Sequence, residues 1–245
     1  MNRDAVLAAV FPQERLLEEN EPDFFSGTAL AGEETVRFVG TANAVEVGVA
    51  LALRIAAVVI DTMRRFNGRP LVLLLDTAGQ RLRRHDELLG LNGYMAHMAK
   101  CLEVARTRGH PVISLVYGQA VSGGYLTTGM MADAAFALED AEIKVMNLPA
   151  MARITKIPLD RLEALSLQSP VFSPGARNYY RMGHIEEMWS NDLAVRLRDA
   201  IAAIRARAPG DRRLALGLER GGRTRAHPVA NEVAHGRAHG TGEHD

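Results

Sequence analysis

Val112-Ile113-Ser114-Leu115-Val116-Tyr117-Gly118-Gln119-Ala120-Val121-Ser122-Gly123-Gly124-Tyr125 reads as a strand running into a glycine-rich corner. The run from Val112 to Tyr117 is too short for a buried helix and too uniformly apolar for a strand wetted on one side, so it predicts a strand covered on both faces. Upstream, Leu71-Val72-Leu73-Leu74-Leu75 has the same character and is followed by Asp76-Thr77-Ala78-Gly79-Gln80, which reads as a turn. Between the two lies a helical stretch over about Glu87–Arg108, stopped at Gly109, with Arg106 and Arg108 where a helix C-terminus favours positive charge. Before Leu71, Asn43 and Glu46 have capping-box spacing and predict a helix from about Ala44 to Phe66, apolar nearly all round; Glu34–Val39 alternates as a strand before it. Strand and helix therefore alternate in βαβ units, an α/β fold.

Further along, Ala134–Leu138 and Glu142–Met146 read as strands. Pro149–Thr155, Pro158–Ser166 and Pro174–Met182 read as helices opened by proline, and Leu193–Arg207 as a last amphipathic helix. This divides the chain into an N-terminal arm (1–33) that starts with a helix over Arg3–Glu19, a core domain (34–208), and a tail (209–245) rich in Gly, Arg and His that is expected to be mobile.

The 245 residues suffice for one generous domain, and 47% apolar against 24% charged residues excludes a wholly disordered chain. Lys+Arg and Asp+Glu number 29 each, leaving no excess positive charge for a phosphate backbone, so nucleic acid is not an expected partner. Val45–Ile60 carries Glu46 and Arg54 and reads as a buried helix and not a membrane span. A single cysteine, Cys101, and an N-terminus without an export pattern give the expectation of a reducing, cytoplasmic setting. Neither G-x-x-x-x-G-K-[ST] nor G-x-G-x-x-G occurs, so ATP and NAD have no cradle; the histidines show no ligand spacing, and no metal is expected.

The chemistry concentrates at Gly118–Tyr125. Adjacent glycines where a strand hands over to a helix leave N–H groups bare, able to stabilise an oxyanion; equally, small residues there permit close packing. The Asp76–Gln80 turn lies at the same sheet edge and either faces the glycine pair, adding a second donor, or is a tight turn capped by Asp76. Ala120-Val121-Ser122-Gly123-Gly124 approximates a nucleophile elbow, with Asp133, Asp160 or Asp192 and His184 or His227 as formal triad partners of Ser122. Cys101, within a helix, reads as a packing residue.

Phe38-Val39-Gly40-Thr41-Ala42-Asn43, Pro70–Gly79, Gly109–Ser114, Gly118–Tyr125 and Met131-Ala132-Asp133-Ala134 resemble, in order and spacing over about Glu34–Met146, the C-terminal half of acyl-CoA carboxyltransferases of the crotonase (ClpP-like) superfamily. With Ala141–Pro149 and the segment from Ser173 to Trp189, the chain is similar to the γ subunit of biotin-independent malonate decarboxylase. The resemblance implies a crotonase-like ββα spiral with a helical C-terminal region, and a site completed by a β subunit carrying the other half. It implies a malonyl thioester on an acyl carrier protein as substrate, decarboxylated to the acetyl thioester. No cofactor would be bound directly; the CoA-like prosthetic arm comes with the carrier protein, and a carrier-protein transferase subunit completes the system. By motif, Gly123 and Gly124 are the implied backbone oxyanion donors, and Gly79 and Gln80 secondary candidates. The competing expectations are a serine hydrolase acting through Ser122 and a non-catalytic assembly subunit.

Overall fold

A computed structural model describes residues 1–168, 174–208, 210–222 and 224–238. Among the described residues nine strands form one sheet: β1 (Arg15–Asn20), β2 (Phe24–Ala31), β3 (Glu34–Thr41), β4 (Val45–Val47), β5 (Leu71–Gln80), β6 (Val112–Val121), β7 (Ala134–Leu138), β8 (Glu142–Lys144) and β9 (Glu187–Trp189). The main path runs β1-β2-β3-β5-β6-β7-β9, antiparallel from β1 to β3 and parallel from β3 onward. The helices are α1 (Arg3–Val10), α2 (Val49–Arg65), α3 (Arg84–Leu88), α4 (Leu91–Thr107), α5 (Ser122–Leu126), α6 (Leu148–Thr155), α7 (Leu159–Gln168), α8 (Ala176–Arg181), α9 (Leu193–Ala206), α10 (Arg213–Glu219) and α11 (Ala226–Ala238).

The two buried strands read from the sequence are the central pair, and each runs ten residues. Their first halves are flanked by β3 and β7. Beyond a register break between Leu75 and Thr77 the neighbours change to β4 and β8. The expected turn at Asp76 is therefore a bend inside a continuing strand. At the bend the Asp76 carboxylate accepts the N–H of Ala44 (3.0 Å) and of Gln119 (2.8 Å), while the Asp76 N–H donates to Thr41 Oγ1 (3.1 Å). Gly118 is required opposite it, because an added Cβ would come within 2.5 Å of the Asp76 carboxyl. Tyr117 completes the corner by donating its hydroxyl to the Thr41 carbonyl at 2.7 Å.

Several sequence expectations are corrected. The helix expected from Ala44 begins only at Val49, with Gly48 as its N-cap, since β-branched Val45 and Val47 pair with the extended end of β5. Asn43 is no helix cap; it takes a left-handed φ of 56° and donates to the Pro22 carbonyl and the Asp23 carboxylate. α2 is also not covered all round: Ala52, Ile55, Ala56, Val59 and Thr62 are buried, whereas Ala50, Leu53 and Ala57 face outward. The helix expected over Glu87–Arg108 is two, broken at left-handed Gly90.

The helix expected over Arg3–Glu19 ends at Val10, and the rest of the expected arm is a pair of sheet strands. Phe24 and Phe25 have no exposed surface to speak of, and Phe11 stacks on Phe38 at 5.1 Å, so this segment is core. A boundary at 33/34 would cut the β2–β3 hairpin. The expected boundary at 209 fares similarly. Arg213 donates to the Met130 carbonyl, and Arg220 to the carbonyls of Tyr180, Ile185 and Glu186, so α10 is bound to the core. α11 is largely exposed, and residues 239–245, with His239 and His244, lie outside the described residues.

Replacing Asp76 by Ala removes the one acceptor shared by two backbone N–H groups at the bend. It is expected to destabilise the chain by about 2 kcal/mol or more, the cost of leaving partly buried donors unsatisfied, read as a lowered urea midpoint at unchanged m value.

Candidate active site

The C-terminal ends of β5 and β6 meet at a corner built from backbone. Ser122 takes a left-handed φ of 46° and turns β6 into α5. Gly124 then lies on Gly79: a Cβ at Gly124 would fall 2.9 Å from both Cα and C of Gly79. Gly79 itself has φ 102° and passes so close to β6 that its own Cβ would lie 3.0 Å from the Val121 carbonyl oxygen. The structure thus brings together the four sequence candidates: Gly124 lies against the Gly79 backbone, and Gly123 against the Gln80 side chain.

Two of the N–H groups are engaged within the chain. The Gly79 N–H donates to Thr77 Oγ1 at 3.1 Å, and the Thr77 hydroxyl in turn donates to the Val45 carbonyl. The Gly123 N–H donates to the side-chain oxygen of Gln80 at 3.0 Å. Thr127 and Thr128 hold the far end of the turn, their hydroxyls donating to the carbonyls of Gly123 (2.7 Å) and Gly124 (2.6 Å). Behind this lies the buried Tyr125, whose phenol burial pushes to a pKa well above its ordinary value.

A second device positions the segment after Gln80. Arg81 grips Asp86 with two hydrogen bonds of 2.7 Å, and Asp86, 1% exposed, accepts the first N–H of α2 from Val49 at 3.1 Å. The arginine's hydrogen bonds, aided by the Val49 N–H, hold the Asp86 carboxyl at a pKa of about 2. A Cβ at Gly48 would sit 2.5 Å from the Arg81 guanidinium, so a larger residue there would push on the clamp. Val49, Leu91 and Met95 form a small apolar cluster alongside, and Met95 Cε is 3.3 Å from where a Gly123 side chain would begin. None of Arg81, Asp86, Val49 and Met95 was legible as a site residue; Arg81 and Asp86 are five apart and meet only because a loop folds back.

Among the described residues no triad is assembled on Ser122. Asp133 is taken by Arg106 and the Val112 N–H, His184 packs edge-on against Tyr179, and His227 bonds Asn231. Among the described residues no side chain hydrogen-bonds the Ser122 hydroxyl. Cys101 does have a histidine one helical turn away, His97 Nε2 at 3.6 Å, but burial pushes its thiol up, away from the reactive thiolate. Among the described residues no group of three or more His, Cys, Asp or Glu is placed to hold a metal ion, and no helix is long and apolar enough to cross a membrane.

A long bent strand pair whose ends meet at a glycine corner, on a mostly parallel sheet with helical crossovers, is the architecture of crotonase-fold carboxyltransferases. The transcarboxylase 12S structure with methylmalonyl-coenzyme A bound superposes with a TM-score of 0.70 at 19% identity, over 84% of this chain and 42% of that one. The family model for the malonate decarboxylase gamma subunit matches residues 42–237, and the chain belongs to that family.

The fold of a Pseudomonas malonate decarboxylase hetero-tetramer chain, solved in complex with coenzyme A, matches with a TM-score of 0.74 at 25% identity, covering 93% of this chain and 97% of that one. A Pseudomonas MdcD-MdcE hetero-dimer chain matches with 0.75 at 24% identity, over 94% and 97%. In sequence, a malonyl-S-ACP:biotin-protein carboxyltransferase of Malonomonas rubra is 36% identical over 168 residues, 63% of this chain; the match spans 58% of that relative's length.

The Asp86 carboxyl is depressed below its ordinary 3.8, so its contribution to stability is complete above about pH 4 and lost as pH falls through about 2. The stability gap between wild type and Asp86→Asn is therefore expected to be constant from pH 7 to about pH 4 and to close on further acidification, followed by denaturant melts across that range.

Proposed function

We propose that this chain is one half of the active site of a malonyl-thioester decarboxylase, completed by a homologous β subunit and operating in the cytoplasm without biotin. The substrate is a malonyl group on an acyl carrier protein, delivered on the carrier's CoA-like arm after a transferase subunit has loaded it. Loss of CO2 leaves an enolate of the thioester; protonation gives the acetyl thioester, and exchange with fresh malonate releases acetate and regenerates the malonyl thioester.

The observation that carries this reading is the bare backbone corner where Gly124 rests on Gly79, in a chain of the gamma subunit family. Decarboxylation of a β-carboxyl thioester needs no nucleophile or metal from the protein. It needs a place where negative charge on oxygen is met by donors already aimed at it, in surroundings dry enough for their dipoles to count. Backbone N–H groups at Gly123 and Gly124 are the donors of this half, with the Gly79–Gln80 strand end as the wall against which they are held. Ser122 serves as the left-handed pivot of the corner and not as a nucleophile.

A substitution at Gly124 acts twice, since any side chain there collides with the Gly79 backbone before it screens the donor. Gly124→Val in a complex co-expressed with the β subunit is expected to lower turnover of malonyl-carrier protein by about 10²–10³, the effect of losing one oxyanion donor, with carrier affinity little changed. Near-normal turnover in a folded Gly124→Val complex would leave the assembly-subunit reading in its place. The chain without its partner is expected to be inactive on the same substrate, and brisk decarboxylation by the lone chain would remove the half-site idea.

Ser122→Ala is expected to retain most turnover. A hydrolase nucleophile's removal costs many orders of magnitude, so a collapse of activity, or an acyl adduct trapped on Ser122, would put the hydrolase reading first.

A further inference from the structure

We infer that the Gln80 carboxamide is an internal latch: its oxygen occupies the Gly123 N–H, and a substrate oxygen must displace it to engage that donor. This rests on the reading of the corner as an oxyanion-binding site. The geometry is direct. Gln80 Oε1 stands 3.0 Å from the Gly123 nitrogen and accepts its hydrogen bond, so it sits where a reacting oxygen on that donor has to sit. A Cβ built on Gly123 would come within 2.9 Å of the same oxygen, which places the amide directly against the corner.

The backbone on either side of Gln80 is held, so the motion belongs to the side chain. Gly79 before it is bonded through its N–H to Thr77, and Arg81 after it is clamped on buried Asp86, while the Arg81 N–H donates to the Val47 carbonyl at 2.9 Å. Gln80 itself is half-buried, so it is not sealed into the core. Also close to the Gly123 position is Met95 Cε, an apolar group that cannot replace the amide as acceptor. The latch keeps the donor satisfied while the site is empty and preserves its aim. Every ligand that uses the donor then binds more weakly by the fraction of time the latch is open.

The acceptor in the latch is neutral, whereas an enolate or carboxylate oxygen makes a charge-assisted bond roughly twice as strong. An anionic oxygen therefore opens the latch readily. A glutamate at position 80 would instead hold the donor with a charge of its own and repel the incoming anion.

The test uses the co-expressed complex with the β subunit and malonyl-carrier protein as substrate, comparing wild type, Gln80→Ala and Gln80→Glu, with thermal unfolding as the check on folding. Gln80→Ala is expected to lower KM roughly two- to tenfold at nearly unchanged kcat, the effect of removing one neutral competing hydrogen bond. Gln80→Glu is expected to raise KM by more than about tenfold at pH 8, and the ratio to wild type should narrow as the pH is lowered toward about 4–5, where a glutamate takes up its proton. An amide that merely supports α5 would move neither KM in these directions nor the pH profile of the ratio. In a sample labelled with ¹⁵N-glycine, the Gly123 amide resonance should shift in Gln80→Ala. Wild-type turnover with unchanged KM in Gln80→Ala would overturn the latch and leave the site reading standing. A fall in kcat in both variants would show the amide to be a donor to the substrate, again against the latch. Absence of decarboxylation by the wild-type complex would remove the site reading and the latch together.

Discussion

The carboxylate of Asp76 sets the geometry on which the rest of the site depends. A parallel sheet alone ends its strands side by side at one edge, and β5 would stop where its pairing with β3 stops. By accepting N–H groups from Ala44 and Gln119, Asp76 ties the chain leaving β3 and the far half of β6 to the bend in β5. From there β4 and β8 replace β3 and β7 as neighbours, and the central pair extends to the corner where Gly79 and Gly124 meet. Gly118 makes room for the carboxylate and Tyr117 braces the same loop through the Thr41 carbonyl. A charged acceptor between two backbone donors satisfies groups that a strand bend would otherwise leave unpaired.

Arg81 and Asp86 provide the second fixed point. Their bidentate contact folds the chain after β5 back over the first turn of α2, so the segment holding Gln80 is restrained at both ends. For the oxyanion site proposed above, a rigid backbone with one movable side chain is a suitable arrangement. Donors aimed in advance need no reorganisation during the reaction, and only the group that covers them has to move.

The C-terminal segment is held mainly by charge. Arg207 and Arg212 converge on Glu186, Arg213 and Arg220 donate to core carbonyls, and Arg213 also pairs with Asp211, whose carboxyl the arginine holds at about 2. Such contacts leave no apolar periodicity, which is why a stretch that reads as a loose tail packs α10 against the core. The N-terminal misreading has a different origin. Arg15–Asn20 is an edge strand with mostly exposed side chains, and a half-polar run next to a real helix continues the helical pattern by composition alone.

By itself the sequence determined the central strands, the alternation of strand and helix, and the glycine corner, because uniformly apolar short runs and adjacent glycines have few other uses. The motifs from Phe38 to Ala134 pointed to the carboxyltransferase half, and with Ala141–Pro149 and the segment from Ser173 to Trp189 to the gamma subunit family, to which the chain belongs. Only the tertiary structure decided that Asp76 lies within a bent strand, that Arg81 and Asp86 lock the loop beyond it, and that Gln80 reaches the Gly123 N–H. Each of these joins groups through a hydrogen bond across the fold or through a loop folding back, and the strength of such a bond depends on distance and direction in space. Sequence separation carries neither, so the contacts that aim the site have no local signature.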